Sequence, residues 1–197
     1  MIMPFIHRKE VIFFKGVRRS GKSTLMKMLA GSFDDYTGTI YINQKEVALR
    51  SPSIAKQLGI GMIYQELSLA KPISIAENLL AGRFPRKGPF IDKKSMDIKA
   101  RQLLRYVGLD LDPWIPIEDI SQHEAQLVEI AKVLGTRPCI LVMDEPTSAL
   151  SREEVERLFE IIRNLKRSGL AIVYISHHLP EVYEIADRVT VMRDAKK

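Results

Sequence analysis

The strongest chemical signal is Gly16-Val17-Arg18-Arg19-Ser20-Gly21-Lys22-Ser23, which fits G-x4-G-K-[ST] and is followed by Thr24. Glycines at those spacings let successive backbone N–H groups turn toward one anion, and a helix N-terminus behind them adds partial positive charge. The motif predicts a cradle for the phosphates of ATP. Lys22 is placed to reach the β- and γ-phosphates and Ser23 to ligate Mg²⁺. A second signal, the acidic pair Asp144-Glu145, follows the apolar run Cys139–Met143. The carboxyl end of a buried strand is where an open α/β sheet meets its ligand. Asp144 suits a water-mediated contact with Mg²⁺, and Glu145 suits removal of a proton from an attacking water.

These residues need a sheet to hold them. Strand-like runs occur at Glu10–Lys15, Ile60–Tyr64, Cys139–Met143, Ala171–Ile175 and Arg188–Met192, with a weaker one at Gly38–Asn43. Four are almost wholly apolar, as strands buried on both faces are. Ser-x-x-Glu capping boxes at Ser74, Ser121 and Ser151 open helices, and Asp92 caps another running to about Val107. Between about Glu66 and Asp119 the pattern is helices and loops without a strong strand. The order therefore predicts an α/β fold, a parallel core sheet carrying a helical insertion.

Composition narrows the class further. The chain has 197 residues, 46% of them hydrophobic, and a formal charge of +6. This is enough apolar content for a packed domain. The positive charge is scattered, with no basic tract, so a nucleic-acid partner is not expected. No apolar run approaches the length of a membrane span, and the N-terminus lacks the apolar core of a secretory signal. The single cysteine, Cys139, excludes an internal disulfide and is expected to pack in the core, as in a reducing compartment.

At this point the residues resemble a family. Met143–Leu150 (MDEPTSAL) is similar to the Walker B motif and D-loop of ABC ATPases, Tyr64-Gln65-Glu66 to their Q-loop, and Ile175-Ser176-His177 to their switch histidine. The stretches STLMKMLAG, GIGMIYQELSL, VEIAKVL, YISHHLPEVYEIADRVTVMRD and GRFPRKGPFIDKKSM resemble the ATPase subunits of bacterial simple-sugar importers of the ribose, galactose, xylose and arabinose type. The resemblance runs from about Ser23 to Asp194. It implies a P-loop NTPase with a RecA-like core sheet, residues 1–65 and 122–197, and a helical subdomain at about 66–121. It implies that Gln65 touches Mg²⁺ and the lytic water and senses the membrane partner. It assigns His177 to the γ-phosphate and to holding Glu145. It assigns Ser121 to the γ-phosphate of ATP held by an opposite subunit. The implied partners are a second ABC ATPase domain and a transmembrane permease faced by the Glu66–Gly88 segment. The implied location is cytoplasmic, on the inner face of the membrane.

Three features depart from the family pattern. His123 stands where the signature motif usually has glycine, and its ring fills the space through which a phosphate would approach. Only 15 residues precede Gly16 and the end follows closely on Arg188–Met192, so the domain reads as trimmed at both ends, with Phe5 the only nearby aromatic to stack on adenine. Arg18-Arg19 replaces the usual Asn-Gly, and HRKEVIFFKGVRRSGKST resembles archaeal AAA-like ATPases, with a join near Ser23–Leu25; a divergent natural domain and a recombined one both fit. The functional expectation is an Mg-dependent ATPase driving carbohydrate uptake. The alternative is an ATP-binding module with little or no hydrolysis.

Overall fold

The computed structural model describes residues 11–16, 22–33, 38–42 and 44–192, with side chains from Thr24 onward and short of Met192. Val17–Gly21, the middle of the phosphate-binding motif, lies outside the described residues, as does Phe5.

The chain divides into two compact units. Unit 1 comprises Met1–Gln65, Pro138–Ser148 and Val155–Lys197. Its centre is a five-stranded sheet built from β1 (Val11–Gly16), β4 (Ile60–Ile63), β7 (Ile140–Asp144), β8 (Ala171–Ser176) and β9 (Arg188–Met192), in the order β4-β7-β8-β1-β9. All four neighbouring pairs are parallel. The expected strands are therefore all present, each within a residue or two of its bounds.

Burial on both faces explains the unbroken apolar runs. Every residue of β8 is buried, and four of five in β7. Alternate side chains serve opposite sides. Val142, Ala171, Val173 and Ile175 join a cluster with Leu25, Met26 and Leu29 of α1 (Lys22–Leu29). On the alternate positions, Tyr174 meets Phe159 of α6 (Arg152–Arg167) edge to face, ring centroids 6.3 Å apart. The apolar stripe Leu158, Phe159, Ile162 and Leu165 of α6 is buried, as its 3.6-residue period requires.

Within unit 1 the weaker strand expected at Gly38–Asn43 is present as β2 (Ile40–Ile42), and three elements were not expected: its partner strand and two helices. Strand β2 pairs with β3 (Lys45–Val47) in an antiparallel hairpin turned by Gln44 at φ 65°. Ser51 caps α2 (Pro52–Gln57), accepting from the Ile54 amide. Helix α7 (Leu179–Ile185) follows β8. The cysteine expectation is also corrected: Cys139 is exposed. It precedes β7 rather than belonging to it, and its Sγ rests 3.4 Å from the Leu58 carbonyl oxygen.

Unit 2 comprises Glu66–Arg137 and Ala149–Glu154. It is built on α3 (Ile75–Leu80), α4 (Lys93–Tyr106) and α5 (Gln122–Leu134), which pack on one another. The sequence reading grouped α5 with the sheet. Its packing against α3 and α4 instead puts it in unit 2. A small hairpin, β5 (Arg86–Lys87) with β6 (Phe90–Ile91), lies in the stretch expected to hold no strong strand. All four expected caps are formed: Ser74 and Ser121 make complete capping boxes, Asp92 accepts from the Ser95 amide, and Ser151 and Glu154 bond reciprocally. Asn78, 3% exposed, holds the preceding loop by donating to the carbonyls of Ala70, Ile73 and Ser74 and accepting from the Ala70 amide. Among the described residues, no helix is long and apolar enough to cross a membrane.

Candidate functional site

The parallel register sets the site. Across the sheet, Ile63 pairs with Met143, Asp144 with Ile175, and Lys15 with Ser176. Each strand stops at nearly the same level. Gln65 lies two residues beyond β4, Glu145 directly follows β7, His177 directly follows β8, and Gly16 is itself the last residue of β1. Four separate sequence motifs thus emerge at one edge, on neighbouring strands spaced about 4.8 Å apart. This edge is the carboxyl end of the strands, the ligand side of an open parallel sheet.

Glu145 is held in an unusual backbone state, φ 46°, where a Cβ is disfavoured. Two backbone bonds fix it. Its amide donates to the Ile175 carbonyl at 2.8 Å, and its carbonyl accepts from the Ser148 amide at 3.2 Å. The first bond continues the β7–β8 ladder one residue beyond Asp144. The carboxylate then meets His177, with Nδ1 3.1 Å from Glu145 Oε1. A carboxylate only accepts, so Nδ1 carries the hydrogen, and Nε2 remains for a second partner. The His177 ring also lies against His178, centroids 4.1 Å apart. His178 itself begins α7, its amide donating to Ser176 Oγ at 3.0 Å.

The other expected site residues fall as follows. Gly16 ends β1, while Lys22 and Ser23 open α1, so strand and helix flank the motif as phosphate binding requires. Thr24 is exposed in the first turn of that helix. Val17, Arg18, Arg19, Ser20 and Gly21 lie outside the described residues. Gln65 is exposed in the bend after β4, and Asp144 is the partly exposed last residue of β7. Ser121 belongs to unit 2, where its hydroxyl accepts from the Glu124 amide at 3.2 Å and Glu124 Oε2 accepts from the Ser121 amide at 2.8 Å. In the same first turn of α5, His123 Nδ1 is buried without a hydrogen-bond partner.

Mg²⁺ is a hard ion that takes oxygen ligands and keeps several waters and phosphate oxygens around it. Asp144 and Gln65 fit that donor set. They offer a carboxylate and an amide oxygen at the ends of adjacent strands, on the edge where β1 gives way to α1.

Sequence reasoning missed Thr147 and Glu181. Thr147 Oγ1 donates to Glu181 Oε1 at 2.6 Å, and the Tyr174 hydroxyl donates to Glu181 Oε2 at 3.0 Å. Thr147 and Glu181 are 6% and 7% exposed. Burial first, and the Glu181 charge second, push the Tyr174 phenol well above its usual range, so it stays a donor. No local sequence signal marks this bridge, because α7, which carries Glu181, was itself not expected.

A parallel sheet with the phosphate-binding sequence motif between β1 and α1 defines a P-loop nucleoside-triphosphatase fold. The model of the ABC transporter family matches residues 5–148, from before β1 through the loop after β7. The chain belongs to the ABC transporter family. The match includes the N-terminal segment whose wording resembled archaeal ATPases. A ribose import ATP-binding protein of Rubrobacter xylanophilus is 46% identical over 187 residues, covering 95% of this chain and 38% of that protein. A putative ribose/galactose/methyl galactoside import ATP-binding protein of Agrobacterium fabrum is 46% identical over 179 residues, 91% of this chain and 36% of that one. Among solved structures, an ATP-binding cassette of an ABC transporter in its ADP conformation superposes with a TM-score of 0.84 at 26% identity, covering 96% of this chain and 78% of that one. The chain spans less than two fifths of the length of the curated relatives it matches.

Proposed function

We propose that the chain binds Mg-ATP and hydrolyses it as the ATPase domain of a sugar importer. The observation that carries this reading is the common level of Gly16, His177, Glu145 and Gln65 at one sheet edge, with His177 and Glu145 in contact. The motif Gly16–Thr24 holds the phosphates and Lys22 neutralises the β,γ bridge. Gln65 and Glu145 orient a water in line with the γ-phosphorus. As the water oxygen bonds to phosphorus and the bond to the β,γ-bridging oxygen breaks, Glu145 receives the proton. His177 fixes the Glu145 carboxylate through Nδ1 and offers Nε2 to the γ-phosphate side. Asp144, Gln65 and Ser23 would hold Mg²⁺, which would supply neutralisation of the phosphate charge.

Ser121 serves the ATP of an opposing copy or paralogous domain, so turnover requires two domains face to face. The Glu66–Gly88 segment faces a transmembrane permease. The domain then works at the cytoplasmic face of the membrane, and the sugar is chosen by other subunits. The relatives at 42–46% identity, named as ribose or ribose/galactose import proteins, support the substrate class. The test is an ATPase assay across protein concentration, with Glu145→Gln and Lys22→Ala alongside. Wild type should gain specific activity with concentration, Glu145→Gln should bind Mg-ATP without turnover, and Lys22→Ala should lose binding. Equal turnover in wild type and Glu145→Gln removes the role given to Glu145.

A further inference from the structure

Glu145 and His177 sit on different loops, after β7 and after β8. Their side chains are 21% and 52% exposed. A contact that open contributes at most about 1 kcal/mol. It is too weak to fix the spacing of two loops by itself.

The Glu145 amide bond to the Ile175 carbonyl ties the first of these loops to β8 through the backbone, and buried side chains join the two loops once more. Thr147 is two residues beyond Glu145, and Glu181 is four residues beyond His177 on α7. Each oxygen of the buried Glu181 carboxylate accepts one hydroxyl: Oε1 from Thr147 at 2.6 Å, Oε2 from Tyr174 of β8 at 3.0 Å. Tyr174 is wholly buried and wedged edge to face against Phe159, so the β8 end of this bridge cannot move. A buried carboxylate is a poor choice for stability alone, because apolar residues of similar size often do as well or better. Its geometry supplies something apolar packing cannot, namely two directional bonds of fixed length.

We propose that Glu181 is a positioning residue: its carboxylate spans Thr147 and Tyr174 and thereby sets the separation at which Glu145 and His177 meet. The consequence for turnover rests on the ATPase reading above, but the geometric claim is measurable without it. Thr147→Val keeps the shape and removes the hydroxyl. Glu181→Gln keeps the shape and weakens both bonds. Tyr174→Phe removes the other hydroxyl while retaining the ring.

The experiment reads the imidazole ¹⁵N resonances of His177, assigned by their absence in His177→Gln. Glu145→Gln should displace the Nδ1 signal. Thr147→Val and Glu181→Gln should displace it in the same direction, and Thr147→Ser should return it. In turnover assays, kcat should fall about tenfold to a hundredfold in Thr147→Val while KM for ATP stays within about twofold, because a displacement of about an ångström acts on the chemical step. An Nδ1 signal that moves in Glu145→Gln but stays put in Thr147→Val and Glu181→Gln overturns the proposal. Should Glu145→Gln turn over ATP at the wild-type rate while the Nδ1 signal still follows Thr147, the ATPase role of Glu145 fails and the positioning geometry stands. If Glu181→Gln unfolds, Thr147→Val and Tyr174→Phe decide the matter alone.

Discussion

Glu145 pairs a functional carboxylate with a backbone that would suit glycine, and this makes an exchange of stability for activity measurable. At φ 46° its Cβ crowds the following carbonyl. The left-handed region costs a residue with a Cβ about 1–2 kcal/mol. Glycine escapes that cost but loses more freedom on folding, about 0.5–1 kcal/mol. Glu145→Gly also gives up the contact with His177. Measuring it against Glu145→Gln largely cancels that loss, since glutamine replaces the charge while keeping the strained backbone. The expected difference is about 0.5–1 kcal/mol in favour of glycine, or a rise of about 1–4 °C in Tm for a chain of this size. Calorimetry or denaturant titration of the two variants gives the number, and both should be inactive. A Glu145→Gly protein that melts below Glu145→Gln would refute the claim that the Ile175 and Ser148 bonds hold Glu145 against an intrinsic preference.

Two further substitutions probe neighbouring features. Gly59 has φ +79°, and an added Cβ would lie 2.5 Å from Cys139 Sγ. Gly59→Ala should cost about 1–3 kcal/mol by denaturant titration, and adding Cys139→Ala should recover the steric part but not the conformational part. His123→Gly removes a ring whose Nδ1 is buried without a partner and opens the first turn of α5. Turnover at saturating ATP and high protein concentration should rise; an unchanged rate would mean that His123 does not limit phosphate approach to Ser121.

What could be read in advance follows from how far each signal depends on distant residues. The core strands were visible because burial on both faces demands unbroken runs such as Ile140–Met143. The helices of unit 2 were visible because capping is local: Ser74, Ser121 and Asp92 each need only residues three positions away. Strand β2 was visible, whereas its partner β3 was hidden because none of its three residues is buried. Helix α7 was hidden because it is seven residues long and begins Leu179-Pro180 beside two histidines, a pattern that also suits a loop. At the site, Glu145 and His177 were recognisable as motif members, and the structure adds their contact. The Thr147–Glu181–Tyr174 bridge joins residues 34 and 7 positions apart, and nothing local marks it. The boundary of the helical unit moved because α5 chooses its partners by packing against α3 and α4, which no capping signal reveals.

The shared register of the sheet has a consequence for how this chain can change over time. Alternation along a strand has a period of two, so losing or gaining one residue inside β8 would turn its buried Tyr174 to the opposite face and carry His177 out of step with Glu145. The same holds for β4, β7 and β1, each of which delivers one group to the edge. Length variation is thereby excluded from the strands and directed to turns that bear no such duty, such as Gln44 between β2 and β3 or the exposed Gly88 between β5 and β6. Sites for inserting a tag, a fluorophore or a regulatory segment should be sought at those turns.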